Sequence, residues 1–234
     1  MRARVLLSNL ILALLLAPDM LAAQGGAPSL SLGVTGGFPT GAFKQRVHSA
    51  WGAEASAIFR PAGPGVFGLR VDLGFQNYGH ERTTVPLFSS NQRVLVNLGT
   101  NNDIVSLSVG PQLTFGRSAL KPYVMGGFGV SYFFTESSAS GSSSTESFAS
   151  TVNFDDWTML MQGGGGVYIN LSRAHDVALD LSLRYQHDAT VRYLTRGDLT
   201  TNPDGTISFQ PSRSRADLIL IRVAVGGTPR KSAQ

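Results

Sequence analysis

Six charged residues stand where charge is costly. Glu54, Arg70, Asp72, Asp180, Arg184 and Arg222 each occupy an alternate position within a stretch whose other positions are apolar. Arg70 and Asp72 interleave with Leu69, Val71 and Leu73, Arg184 lies between Leu183 and Tyr185, and Arg222 lies between Ile221 and Val223. On extended backbone, that spacing puts the charges on one face and the hydrocarbon on the other. Three carboxylates and three guanidinium groups sum to zero. Gathered in one interior, they can pair as a neutral structural plug or line a path for ions. A second set is small: Gly127 and Gly129, with Gly164 and Gly166, leave either room for Glu54 and Arg70 to reach across or a small ligand cavity. No strand-to-helix context follows them, so they do not form a phosphate-binding loop. His48, His80 and His175 are widely spaced and fall in connections, which suits solvated side chains better than metal ligands. Cysteine is absent, which excludes disulfides and thiolate metal sites. These residues imply no catalytic group, no cofactor and no metal.

Eight alternating segments must position these groups: 29–38, 51–60, 66–77, 103–115, 121–134, 157–171, 177–186 and 217–225. The third is the cleanest, with Phe67, Leu69, Val71, Leu73 and Phe75 on one face. The fifth, Lys-Pro-Tyr-Val-Met-Gly-Gly-Phe-Gly-Val-Ser-Tyr-Phe-Phe, cannot be a helix, since each glycine would cost about 1 kcal/mol there against alanine. Pro111 interrupts the fourth and implies a bulge or locally unpaired backbone. Short connections, among them Pro-Ala-Gly-Pro-Gly at 61–65, alternate with long ones at 78–102, 135–155 and 187–215. The 135–155 stretch is Ser/Thr-rich and of low complexity, with the composition of a mobile loop. Asn202-Pro203-Asp204-Gly205 is a hairpin-type turn. Two apolar runs at 83–88 and 93–98 fit a small hairpin above a membrane, or two further spans that would make ten strands.

Alternating short and long connections between strands with one greasy face predict an all-β, antiparallel, up-and-down transmembrane β-barrel of eight strands. Aromatic residues support it by clustering in two belts. Trp51, Phe75, Tyr78, Tyr132, Phe134, Trp157 and Tyr185 fall at the long-loop ends of the segments; Phe59, Phe67 and Phe115 fall at the short-turn ends. A soluble β-sandwich or a lipocalin-like barrel would also alternate, but would not require this asymmetry of connections. Residues 1–23, with Arg2 and Arg4 before an apolar run and Leu-Ala-Ala at the end, read as a secretory signal peptide. That leaves residues 24–234 as one barrel domain. Without Arg2, Arg4 and Asp19 the chain holds 17 basic and 14 acidic residues, too small an excess to imply nucleic acid.

The 121–134 segment resembles the Pro-Tyr-Val-aromatic-Gly strand of the small OmpA/OmpX-like outer-membrane β-barrel family. The resemblance implies the outer membrane of a Gram-negative-type bacterium. It also implies a monomeric barrel in contact with membrane lipid and lipopolysaccharide, outer loops that meet an extracellular partner, and a non-enzymatic role. A narrow transport barrel for small solutes is the alternative. Where such barrels finish on an aromatic residue, this sequence continues past Val225 into Gly-Gly-Thr-Pro-Arg-Lys-Ser-Ala-Gln, which would place the insertion signal at 221–225. A second resemblance is local. Arg184, Tyr185 and His187 match the Arg-Tyr-x-His run of the lipid A deacylase barrels, whose serine nucleophile is replaced here by Ala189 and whose following asparagine is replaced by Thr190. Without that hydroxyl an acyl-transfer triad has no nucleophile.

Overall fold

The computed structural model describes residues 27–60, 66–88, 91–116, 119–141, 147–172, 177–195, 198–201 and 207–228. Residues 1–23, read above as a signal peptide, the turns expected at 61–65 and 202–205, and His175 lie outside them. Ten strands are formed: β1 (Ser29–Thr40), β2 (Ala50–Phe59), β3 (Phe67–Phe88), β4 (Asn91–Thr114), β5 (Leu120–Gly141), β6 (Ser147–Ser172), β7 (Val177–Tyr193), β8 (Leu199–Thr201), β9 (Ile207–Phe209) and β10 (Ser212–Gly227). Eight close into an antiparallel barrel in the circular order β1-β10-β7-β6-β5-β4-β3-β2, with β2 back on β1. Strands β8 and β9 pair only with each other and stand outside it. Closure leaves no free edge around the membrane-facing girth.

Eight strands, not ten, make the wall. The runs at 83–88 and 93–98 are the outer ends of β3 and β4, which stay paired with each other up to Phe88 and Asn91. The same holds elsewhere: 135–141 and 147–155 continue β5 and β6, so the Ser/Thr-rich stretch is largely strand. Low-complexity Ser/Thr is β-compatible, and a neighbouring strand already in register supplies its backbone partners. Strands β3 to β6 therefore rise beyond β1, β2, β7 and β10 as a sheet continuing out of the barrel wall.

Pro111 disturbs one side of its strand only. It faces Leu69 of β3, whereas toward β5 the ladder is interrupted at Gly110 and Pro111 and resumes in the same register, Val109 with Phe128 and Gln112 with Met125. Proline lacks the N–H such a ladder needs, and the result is an unpaired step rather than a bulge.

The alternation holds through the wall. Leu32, Val34, Trp51, Phe128, Met159, Met161 and Leu183 face outward and are 57–66% exposed. Tyr78 differs from the expected outer belt. It continues the inward parity of Gln76, is buried, and donates its hydroxyl to the Leu194 carbonyl at 3.2 Å.

Candidate functional site

The barrel interior is the candidate site, and it has two layers. Glu54, Arg70, Asp72, Asp180, Arg184 and Arg222 all face inward, and the three arginines are at most 1% exposed. Register decides who meets whom. Glu54 stands opposite Gly74 and Ser56 opposite Asp72, so Glu54 is diagonal to Asp72, and the missing side chain at Gly74 leaves its carboxylate space to turn inward. Glu54 then meets all three cations: Arg184, Arg222 Nε at 3.1 Å and Arg70 at 3.6 Å. Asp72 accepts from Arg70 Nε at 2.7 Å and lies 3.8 Å from Arg184. Asp180 takes Arg222 together with the Tyr123 hydroxyl, the latter at 2.7 Å.

Neutral side chains add partners to the arginine forks, although the buried Nε atoms of Arg184 and Arg222 make no hydrogen bond among the described residues. Arg70 donates to Ser56 Oγ at 2.9 Å and to Gln112 Oε1 at 3.1 Å, Arg184 donates to Gln162 Oε1 at 3.3 Å, and Arg222 donates to Ser31 Oγ at 2.9 Å. Gln162 in turn donates to Asp72 at 3.1 Å and to Ser108 Oγ at 2.6 Å. The network thus reaches the wall on β1, β2, β3, β4, β6, β7 and β10. Tyr123 joins from β5, stacked on Tyr168 with ring centroids 4.6 Å apart and with the Arg70 guanidinium 5.7 Å from its own ring. Charges this deep are tolerated only in pairs, because an isolated ion away from water costs several kcal/mol.

The glycines are staggered rather than side by side. Gly127 and Gly129 pair with Gln162 and Leu160, while Gly164 and Gly166 pair with Met125 and Tyr123. A Cβ on Gly164 would stand 2.9 Å from Arg184 Cγ, and one on Gly166 would stand 2.7 Å from the Tyr123 hydroxyl. The space above these two is taken by an arginine and a tyrosine. Gly127 is easier, with Gln162 Cγ at 3.6 Å and a backbone oxygen at 3.3 Å.

The second layer is apolar and lies across the end of the barrel that carries the long connections. A short 3-10 turn, Phe43–Gln45, folds Phe43 into the mouth between β1 and β2. Its ring meets Tyr193 edge-on at 5.0 Å, Tyr78 at 5.8 Å and Phe133 at 6.4 Å. Val47, Ile104, Val191, Leu218 and Leu220 fill around them. Sequence reasoning missed this layer because two of its members depend on an irregularity. Asp188 pairs with Ala216 and Thr190 with Arg215, leaving Ala189 as an extra residue. Parity flips there: Asp188 faces in before the bulge, and Val191 and Tyr193 face in after it. Gly41, at φ +57°, is the detectable signal that the chain turns sharply just before Phe43. Between the layers Asp188 accepts from Ser131 Oγ at 2.5 Å and Gln186 Nε2 at 2.8 Å.

The outer rim holds the His187 pair. Its Nδ1 lies 2.5 Å from Asp217 Oδ1, on the outward face of β7 and β10. Among the described residues no hydroxyl hydrogen-bonds this histidine; Ala189 sits at the bulge, Thr190 is exposed, and Ser214 is engaged with Tyr193 at 2.9 Å. His80 bonds Asn101 at 2.7 Å, and no group of three metal-ligating side chains occurs among the described residues.

Residues 22–187 match the family model described as an outer membrane protein beta-barrel domain. The chain belongs to that family. It is accordingly an outer-membrane β-barrel of the Gram-negative type, and its exposed apolar band faces lipid. No curated protein matches its sequence. Among solved structures it is similar to neisserial surface protein A (12% identity, 86% of this chain and 97% of that one, TM-score 0.48). It is similar also to Ail of Yersinia pestis (12% identity, 87% and 98%, TM-score 0.47) and to OprG of Pseudomonas aeruginosa (11% identity, 89% and 98%, TM-score 0.43).

Proposed function

We propose that this outer-membrane barrel is a closed, monomeric and non-enzymatic surface protein, not a pore. The observation that carries the reading is the double filling of its interior. A charge-balanced layer built on three buried arginines spans the lumen, and an aromatic layer packed on Phe43 lies across the outer mouth. An eight-stranded barrel has an interior that side chains can fill. With the lumen occupied, the parts left to act are the outward continuation of β3 to β6, which can meet an extracellular partner, and the lipid-facing band, which meets membrane lipid and lipopolysaccharide. The closed reading is tested by swelling of proteoliposomes in small sugars and amino acids. Swelling no faster than in protein-free vesicles is expected, and rapid swelling would favour the narrow transport barrel.

The His187–Asp217 pair favours one second reading, a lipid acyl hydrolase, because a carboxylate-oriented histidine is half of an acyl-transfer triad. Alanine at position 189 argues against it. Mass spectrometry of lipid A incubated with the purified protein is expected to show every acyl chain retained, and loss of a chain would make this the better reading.

A further inference from the structure

Above the lipid-facing band, one side of the barrel is cationic. On β7 and β10, Arg192 stands directly across from Arg213, and Arg215 stands across from Thr190, all on the outward face. All three arginines are exposed. Like charges placed opposite each other weaken a strand pair unless an anion lies between them. Arg192 is partly answered: Asp156 Oδ2 accepts its backbone N–H at 2.9 Å and lies 3.3 Å from its Nε. The other nearby carboxylate, Asp217, is held by His187. Among the described residues Arg213 and Arg215 have no ion-pair partner.

Height identifies what could answer them. Tyr185 and Ile219 form a cross-strand pair in the apolar band, 47% and 38% exposed. Arg215 is four residues further along β10, or about 10 Å above that pair for a strand rising roughly 3.3 Å per residue at a tilt near 40°. That is just above the headgroup layer, which extends about 5–8 Å beyond the hydrocarbon. A long arginine side chain reaches back across the difference.

We propose that Arg192, Arg213 and Arg215 bind the phosphate groups of the anionic lipid in the outer leaflet. The fit is one of charge and geometry: guanidinium forks pair with phosphate oxygens, and the site adjoins the acyl region that such a lipid must also occupy. On the opposite wall, β3 carries an exposed Arg82 beside His80 and Glu81. Because these side chains face away from the lumen, the proposal stands or falls separately from the closed-interior reading.

The test is binding of the full-length barrel, in phosphatidylcholine nanodiscs, to diphosphorylated lipid A and to the same lipid with its phosphates removed. The double variant R213Q/R215Q is expected to bind the phosphorylated lipid about tenfold more weakly at low salt, and the difference is expected to shrink as salt rises. R82Q is expected to leave binding unchanged, as is removal of the phosphates for the double variant. Equal binding by wild type and R213Q/R215Q would overturn the proposal. So would equal loss in R82Q, which would mean only general charge. Displacement of the lipid by inorganic phosphate at comparable concentration would reduce the site to a free-anion site and overturn its assignment to lipid.

Discussion

The two interior layers both occupy the lumen, but by opposite physics. The ionic layer is held by few, directional contacts among groups that cannot be left alone. Glu54 serves three arginines, so the layer is only as sound as its most shared member. The aromatic layer is held by many weak, non-directional contacts, and Phe43 reaches it from a loop rather than from the wall. Loss of a partner in the first leaves a buried charge behind. Loss of a ring in the second leaves a cavity that a loop can partly collapse into.

The sharpest way to break this contrast is at Glu54. Glu54→Leu leaves three buried arginines facing two carboxylates, and is expected to destabilise the barrel by about 3–5 kcal/mol. Heat-modifiable gel migration reads this as a lower temperature for loss of the folded band. Phe43→Ala is expected to cost nearer 3 kcal/mol, at the low end for a buried phenylalanine, because the 3-10 turn is free to settle inward. A larger loss from Phe43→Ala than from Glu54→Leu in that assay would reverse the ranking of the layers. Finer steps sharpen it. Gly164→Ala meets the β7 backbone and Arg184, and is expected to cost about 1–3 kcal/mol, whereas Gly127→Ala should be nearly silent. Comparable losses for the two would mean that the space over the glycines is shared differently. Smallest of all is the rim: Asp156→Asn breaks an exposed pair with Arg192 and should shift stability by less than about 1 kcal/mol.

The layers also differ in how far a reader of the sequence could see them. All six members of the ionic layer sit in stretches of strand where period-two alternation is uninterrupted, so inward position follows from residue number alone. Their partners do not follow, because register sets those: Glu54 faces Gly74, and Gly164 faces Met125 rather than Gly127. The aromatic layer hides for two reasons. Phe43 belongs to a connection, where no periodicity applies, and Val191 and Tyr193 come after the Ala189 bulge, where the parity is reversed. Other members were within reach: counting on from Gln76 turns Tyr78 inward, and Ile104, Phe133, Leu218 and Leu220 share the inward parity of their own segments. The outer extents of β5 and β6 escaped because Ser/Thr-rich segments take their structure from a neighbour rather than from their own hydrophobic pattern; those of β3 and β4 were legible as an apolar hairpin, but not as a continuation of the wall strands.

The central claim is that the interior is closed, and that the ionic layer rather than the mouth is what closes it. Single-channel recording of the purified barrel in a planar bilayer tests both halves at once. The unmutated protein is expected to be nearly silent, Phe43→Ala to remain so, and Arg184→Ala to leak. A steady, ion-selective conductance from the unmutated protein would contradict the account.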